Sequence, residues 1–158
     1  MRHVVDTNVP VVANGRNTNA STVCRIAAIE FLEELLRRGR IVLDLGGHIQ
    51  EEYERHLFPI GQPGVGDRFY QEVLLSSLNR VERVELRQDH DSGEYLDFPN
   101  DPQLQNFDPS DRKFAAASRK SGAPVANAVD SDWLNFEAAL AANGINIRFI
   151  CGRDRRTW

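Results

Sequence analysis

Short apolar runs alternate with amphipathic segments along this chain. Runs rich in Val and Ile predict strands, because β-branched side chains suit the pleated, half-buried surface of a sheet. Such strands are predicted over residues 1–10, 40–45, 80–86, 123–129 and 145–151. Between them, apolar residues recur at the spacing of a helix. This spacing predicts helices over residues 21–38, 48–57, 67–79, 110–121 and 131–144.

The helix predicted over 21–38 has recognisable ends and an apolar face. Ser21 can cap its first turn and Gly39 can end it. Ser110 and Gly122 are expected to take the same roles in the helix over 110–121. The face of the first helix that is expected to be buried consists of Val23, Ile26, Ala27, Leu32, Leu35 and Leu36.

Two segments show neither the strand pattern nor the helical spacing of apolar residues. Residues 58–66 are rich in Pro and Gly, which predicts irregular backbone. Residues 87–109 are rich in Asp and contain several prolines, and we expect them to form a surface loop. Everywhere else strand and helix alternate, which predicts an α/β fold with a parallel sheet covered by helices on both faces.

The composition predicts one soluble cytoplasmic domain. A chain of 158 residues that is 41% hydrophobic fits a single domain over residues 1–158. No apolar run approaches the roughly 20 residues that a membrane helix needs. Cys24 and Cys151 are far apart in sequence and form no CxxC pair, so we expect neither a disulfide framework nor a zinc cluster.

The net charge limits how the chain can meet nucleic acid. A formal charge of −4 argues against a broadly basic binding surface, since neutralising phosphates requires clustered Lys and Arg. The charge does not exclude nucleic acid as a substrate that is bound at a local site.

Acidic side chains lie where strands end or adjoining helices begin. Asp6 ends the first predicted strand, Asp130 follows the fourth, and Asp132 begins the next helix. Asp111 starts the helix before strand four, and Glu52 lies in the first turns of the helix after strand two. Ligands in open α/β sheets bind beyond the carboxyl ends of the strands, so these side chains are expected to share one pocket.

Such a cluster predicts a divalent cation, because like charges in close proximity repel and raise one another's pKa. Mg²⁺ and Mn²⁺ prefer hard oxygen ligands and keep open positions for water. An ion of this kind activates water and polarises a phosphoryl oxygen, and a second ion about 4 Å away can stabilise the leaving oxygen. The pattern therefore predicts a catalytic Mg²⁺ or Mn²⁺ site.

Four acidic segments occur in order along the chain: "VVDTNV", "EEYERHL", "DPSDRKFAAAS" and "AVDSDW". In this order and at these separations they resemble the four acidic motifs of PIN-domain nucleases, over about residues 3–150. The resemblance implies a three-layer α/β/α sandwich with a central, mostly parallel five-stranded sheet. It also implies endonucleolytic hydrolysis of phosphodiester bonds that depends on Mg²⁺ or Mn²⁺, usually in RNA.

The resemblance implies a role for each acidic position. The matches, in family order, are Asp6, Glu52, Asp111, Asp130 and the following Asp132. Thr7 or Asn8 matches the small polar position beside the first acid. Glu51 is an alternative for the second acid and Asp108 for the third. Ala128 and Val129 stand where the family commonly has Thr and Gly, and Trp133 replaces a smaller apolar residue or Phe.

These matches give a mechanistic expectation. Asp6, Asp111 and Asp130 are expected to hold the metal, with Asp132 assisting. Glu52 is expected to bind a second ion or to help deprotonate the attacking water. Arg16, in the segment after the first strand, is a candidate contact for a nucleic-acid phosphate.

Other functions remain open at this point. The chain can instead be a catalytically inactive module that binds nucleic acid or protein, or a phosphatase on another doubly wound sheet. The second Asp that aspartyl-phosphate phosphatases carry two residues after the first is absent, because Asn8 stands there. Within the nuclease interpretation, the toxin of a toxin–antitoxin pair is a subclass, whose partner would be an antitoxin protein. The oligomeric state is open, with a homodimer as one arrangement.

Overall fold

Five parallel strands form one central sheet in the computed structural model, which describes residues 1–75 and 79–158. The strands are β1 (Arg2–Val5), β2 (Arg40–Asp44), β3 (Val81–Val84), β4 (Val125–Asn127) and β5 (Ile147–Phe149). Their order across the sheet is β3-β2-β1-β4-β5, and every neighbouring pair is parallel. The predicted parallel α/β architecture is confirmed.

Helices cover the sheet on both sides. They are α1 (Asn8–Asn14), α2 (Thr22–Arg38), α3 (His48–His56), α4 (Val65–Leu75), α5 (Arg112–Ser121), α6 (Ser131–Asn135) and α7 (Glu137–Ala142). Helices α1, α2 and α4 pack on one another, whereas α5 contacts the strands from β1 to β4. The fold is thus a three-layer α/β/α arrangement. The part of the predicted helix 67–79 that falls on residues 76–78 lies outside the described residues.

The strand order reverses between β1 and β4, and open α/β sheets have a crevice at such a point. The chain moves from β1 to β2 and β3 on one side, and then returns to β4 and β5 on the other side of β1. Such a reversal separates the connections that leave the two central strands, and ligands of open α/β sheets bind there. Asp6 directly follows β1, and Asp130 lies just beyond β4.

The prediction of a strand over residues 1–10 is wrong in its second half. The strand ends at Val5, and residues 8–14 form α1. The valines of this segment suggested a strand, but Val9 and Val12 are buried on one side of the short helix and Val11 is only partly buried. Pro10 fits because it lies in the first helical turn, where a backbone N–H has no partner within the helix.

The buried face of α2 is rotated relative to the predicted one. Ser21 does cap the helix, accepting a hydrogen bond from the backbone N–H of Cys24. Val23 and Ile26, however, are 75% and 49% exposed. The face that enters the core consists of Cys24, Ala28, Phe31, Leu32 and Leu35. Helices α1 and α4 are the main elements packed against α2. Helical spacing alone does not show which of two overlapping apolar stripes will be buried.

Two other predicted helices differ from the structure. The start of the 110–121 helix is a 3-10 turn, Pro109–Asp111, and Asp108 rather than Ser110 caps it. The single helix predicted over 131–144 is divided at Phe136, whose ring packs 5.6 Å from that of Phe107.

The 87–109 segment is more than a surface loop. It contains the 3-10 turn Pro102–Leu104, and the side chains of Leu104 and Phe107 are fully buried. The Phe107 ring lies edge-on to Trp133, with 5.0 Å between centroids. The segment therefore contributes to the core beneath the carboxyl edge of β1 and β4.

The expectation of no disulfide is wrong. Cys24 and Cys151 form one, with Cα atoms 4.9 Å apart. Cys24 lies in the first turn of α2, and Cys151 lies just after β5. A helix that runs back across a parallel sheet begins at the carboxyl edge, where β5 also ends, so the fold brings these distant positions together.

Within residues 1–75 and 79–158, no helix is both long and apolar enough to cross a bilayer.

Candidate metal centre

Three aspartates from different parts of the chain meet at the crevice between β1 and β4. One carboxylate oxygen from each of Asp6, Asp111 and Asp130 lies within 4.8 Å of the other two. Asp6 and Asp111 are buried, and Asp130 is half-buried. The structure thus brings together the first, third and fourth acids of the predicted set.

Asp6 is held by two donors. Its Oδ1 accepts a hydrogen bond from the backbone N–H of Asn8 at 2.9 Å. Its Oδ2 accepts one from the indole Nε1–H of Trp133 at 2.6 Å. Each carboxylate oxygen has a second lone pair, so both contacts are compatible with metal ligation. They fix the orientation of the carboxylate at the end of β1.

The other two aspartates lie where helices begin. Asp111 is the last residue of the 3-10 turn that leads into α5, and its side chain makes no capping hydrogen bond. Asp130 caps α6, because its Oδ1 accepts from the backbone N–H of Asp132 at 2.8 Å. Helix N-termini favour negative charge, which helps to place carboxylates at both positions.

The electrostatics of this cluster favour a cation. Burial raises the pKa of Asp6 to about 7, and the neighbouring charge of Asp130 adds to the effect. Burial, together with the charges of Asp6 and Asp130, raises the pKa of Asp111 to about 9. Burial also raises the pKa of Asp130. The protein's own donors therefore do not offset the cost of three carboxylate charges, and bound protons or a bound cation must do so.

Asn127 connects β4 to this cluster and was not predicted. It is fully buried, and its Oδ1 accepts from the Nδ2 of Asn8 at 2.8 Å and from the backbone N–H of Asp130 at 3.2 Å. Its Nδ2 donates to the carbonyl of Asp130 at 2.9 Å. Asn8 in turn accepts from the backbone N–H of Ala128 at 2.7 Å. Asn8 therefore joins the ends of β1 and β4 rather than pointing a free amide at a ligand.

Trp133 is the second residue whose role at the site was missed. Its side chain is fully buried, yet its indole N–H needs an acceptor. That acceptor is the carboxylate of Asp6. The Trp directly after Asp132 was visible in sequence, but the partner of its N–H was not.

Glu52 lies beside the three aspartates. Its Oε1 accepts from the hydroxyl of Thr7 at 2.8 Å, and its Oε2 forms an ion pair with Lys113. Its charge contributes to raising the pKa values of Asp6 and Asp111. Glu51 is exposed, so Glu52 is the member of the pair that faces the cluster.

Asp132 belongs to a second acidic group. Its carboxylate and those of Asp108 and Asp111 each offer an oxygen within 4.8 Å of the others. Asp108 is exposed and also caps the 3-10 turn before α5. Asp111 is common to both groups and is therefore the central residue of the acidic surface.

Arg16 is already paired within the protein. Its guanidinium forms an ion pair with Asp67, which is fully buried. About half of the Arg16 side chain is exposed. A phosphate contact at this position remains a prediction, and such a contact would have to share the guanidinium with Asp67.

The residues present fit a hard divalent ion. All three donors are carboxylates, and oxygen ligands of this kind suit Mg²⁺ and Mn²⁺ better than they suit softer metals. Two oxygens on one Mg²⁺ at roughly 2.1 Å lie about 3.0 Å apart when adjacent and about 4.2 Å apart when opposite. Carboxylate oxygens within 4.8 Å of one another can reach such an ion by movement of their side chains. The raised pKa values give a second reason, because a bound cation would stabilise the ionised carboxylates.

Comparisons with protein-family models, with curated proteins and with solved structures found no match to this chain.

Proposed function

We propose that this protein is an endonuclease that hydrolyses phosphodiester bonds, most readily in RNA, with Mg²⁺ or Mn²⁺ as cofactor. The observation that carries the proposal is the convergence of Asp6, Asp111 and Asp130 at the crevice between β1 and β4. Membership of the PIN-domain nucleases is part of the proposal and rests on the four acidic segments. The preference for RNA has the same basis.

The chain's own residues would each have a defined task. Asp6, Asp111 and Asp130 would hold the ion, which supplies a Lewis acid for phosphodiester hydrolysis. Trp133 and the backbone N–H of Asn8 hold the Asp6 carboxylate in place. Asn127 and Asn8 keep the ends of β1 and β4 together, so the spacing between Asp6 and Asp130 is maintained. Such rigid positioning is what a catalytic metal site requires of its protein.

The proposal accommodates the acidic character of the chain. A protein with a net charge of −4 does not attract nucleic acid through its overall field. A divalent ion at the cluster would offset most of the local negative charge, and its open positions could accept a phosphoryl oxygen. Nucleic acid would then be held mainly at the site of cleavage.

The cellular setting is a further part of the proposal. We place the protein in the cytoplasm, where its RNA substrate is found, and an antitoxin protein is one candidate partner. In that reducing compartment Cys24 and Cys151 are expected to be thiols, and the disulfide is expected under oxidising conditions.

A nuclease panel tests the proposal. Single-stranded and structured RNA, and DNA of each strandedness, would be incubated with the native protein and Mn²⁺. We expect RNA cleavage that EDTA abolishes and that Asp6→Asn or Asp130→Asn reduces at least about 100-fold, the scale of losing one charge-stabilising group. Asp91→Asn, at a fully exposed position in the 87–109 segment, is the matched control and should leave the rate unchanged.

Two results would contradict this function. Cleavage that survives both EDTA and Asp6→Asn would show that the cluster is not the active site. Binding of RNA without cleavage, and without measurable affinity for Mn²⁺, would instead support a module that binds nucleic acid.

A further inference from the structure

Lys113 places a positive charge within the acidic site. It lies two residues after Asp111 in the first turn of α5, and its ammonium forms an ion pair with Oε2 of Glu52. The same ammonium donates to the backbone carbonyl of Ser110 and lies 5.0 Å from the centre of the Phe114 ring. The side chains of Lys113 and Glu52 are only 12% and 17% exposed, so water screens their attraction little.

The carboxylate of Glu52 is therefore engaged on both oxygens. Oε2 faces Lys113, and Oε1 accepts the hydrogen bond from Thr7. Charge-assisted contacts of this kind are among the stronger hydrogen bonds in proteins. Among the residues that the structure describes, Glu52 belongs to neither of the two acidic groups whose oxygens lie within 4.8 Å of one another.

An ammonium and a divalent ion compete for the same carboxylate. Both are attracted by the charge of Glu52, and they repel each other strongly when they share a poorly solvated site. A metal ion on Glu52 would thus have to displace Lys113 from this ion pair. Breaking a largely buried ion pair in this way is costly.

We propose that Lys113 occupies the position of a second divalent ion beside Glu52, so that Glu52 is not a metal ligand and metal binds only on the aspartate side. This inference rests on the proposed function, because it assumes an ion at Asp6, Asp111 and Asp130. Lys113 then acts as a positioning residue, holding Glu52 and limiting the number of ions.

Counting bound ions tests this assignment without any measurement of cleavage. Mn²⁺ would be titrated calorimetrically into the native protein, Lys113→Met, Lys113→Arg and the double variant Lys113→Met/Glu52→Gln. We expect Lys113→Met to bind one more Mn²⁺ than the native protein, because Glu52 is released. Lys113→Arg should keep the native number, since it retains the positive charge.

The double variant is the decisive control. It removes both charges of the pair while keeping similar side-chain shapes, and we expect the native number of ions with an affinity within about threefold of native. A tenfold or greater loss of affinity would overturn the inference, because Glu52 would then be a ligand in the native protein. The inference would equally fail if Lys113→Met gained no ion.

The outcomes separate this inference from the proposed function. A native protein that binds no Mn²⁺ contradicts the metal site and the inference together. A native protein that binds Mn²⁺ but shows no gain in Lys113→Met contradicts the inference alone. Thermal unfolding of each variant checks its fold, and if Lys113→Met does not fold, the double variant carries the test.

Discussion

Raising the pH from 7 to 9 is expected to destabilise the metal-free protein. The carboxyls of Asp6 and Asp111 have pKa values of about 7 and about 9 in the folded state, because they are buried beside one another. In the unfolded chain an Asp titrates near 3.9. The folded state therefore holds more protons than the unfolded state, and each shift contributes stability that is complete below the unfolded pKa and is lost as the pH rises through the folded pKa.

The size of this loss follows from the proton difference. Between pH 7 and 9 the folded state holds close to one extra proton on Asp111 over most of the window, which is worth about 2 kcal/mol. Asp6 is already half ionised at pH 7 and adds less than about 1 kcal/mol. The total of about 3 kcal/mol corresponds to a fall of about 6–12 °C in the unfolding midpoint of a chain of this size. Because the carboxyls interact, this total belongs to the cluster rather than to either residue.

The buried histidine His3 has little effect on stability between pH 7 and 9. Burial lowers the pKa of His3 to about 4. The stability contributed by neutral His3 is therefore fully present above the ordinary histidine pKa and is lost only as the pH falls towards 4. Below pH 6.5 it would oppose the effect of the aspartates. From pH 7 to 9 it is essentially constant.

The assay is urea unfolding in EDTA at several pH values, repeated with saturating Mg²⁺. We expect the loss of stability in EDTA, and its suppression by Mg²⁺, since a bound ion stabilises the charged carboxylates. Asp111→Asn should remove most of the slope. A free energy of unfolding that is flat or rises from pH 7 to 9 in EDTA would refute the electrostatic reasoning, as would an unchanged slope in Asp111→Asn.

Two further predictions concern single contacts. Trp133→Phe removes the hydrogen bond to the Asp6 carboxylate, a contact worth about 1.5–3 kcal/mol, and should raise the pKa of Asp6 by about 1–2 units. The affinity of this variant for Mg²⁺, measured by calorimetry, should fall about tenfold at pH 7 and recover most of the way at pH 9. An equal loss of affinity at both pH values would show that altered packing is responsible. Reducing the disulfide between Cys24 and Cys151, 127 residues apart, should lower the free energy of unfolding by up to roughly 5 kcal/mol. Urea unfolding with and without dithiothreitol measures this, and identical midpoints would indicate that the purified protein already carries thiols.

The sequence was sufficient for the architecture because each layer has its own local signature. Runs such as Ile41–Leu43 are short, apolar and rich in β-branched residues, whereas apolar residues in 48–57 recur at helical spacing. Alternation of the two predicts the parallel sheet, and strand ends then indicate where Asp6 and Asp130 lie. The local pattern gave the wrong prediction at α1. The segment Val9–Val12 suits either a strand or a buried helix, and only tertiary packing determines which of the two forms.

The missing parts of the site depend on contacts between distant segments. The partner of Trp133 is 127 positions away in sequence, and Asn127 joins Asn8 across 119 positions. The two cysteines meet only because α2 and β5 share one edge of the sheet. Lys113 was recognised as part of an acidic motif, but its pairing with Glu52 depends on how α3 and α5 approach each other.

The central claim is that Asp6, Asp111 and Asp130 bind the ion on which RNA cleavage depends. Its most direct test is the rate of RNA cleavage as a function of Mn²⁺ concentration, measured beside calorimetric binding for the native protein and Asp111→Asn. The account predicts that the rate and the binding half-saturate at the same Mn²⁺ concentration and that both are lost in Asp111→Asn. A native rate in Asp111→Asn, or stoichiometric Mn²⁺ binding by a native protein that cleaves no RNA, would contradict it.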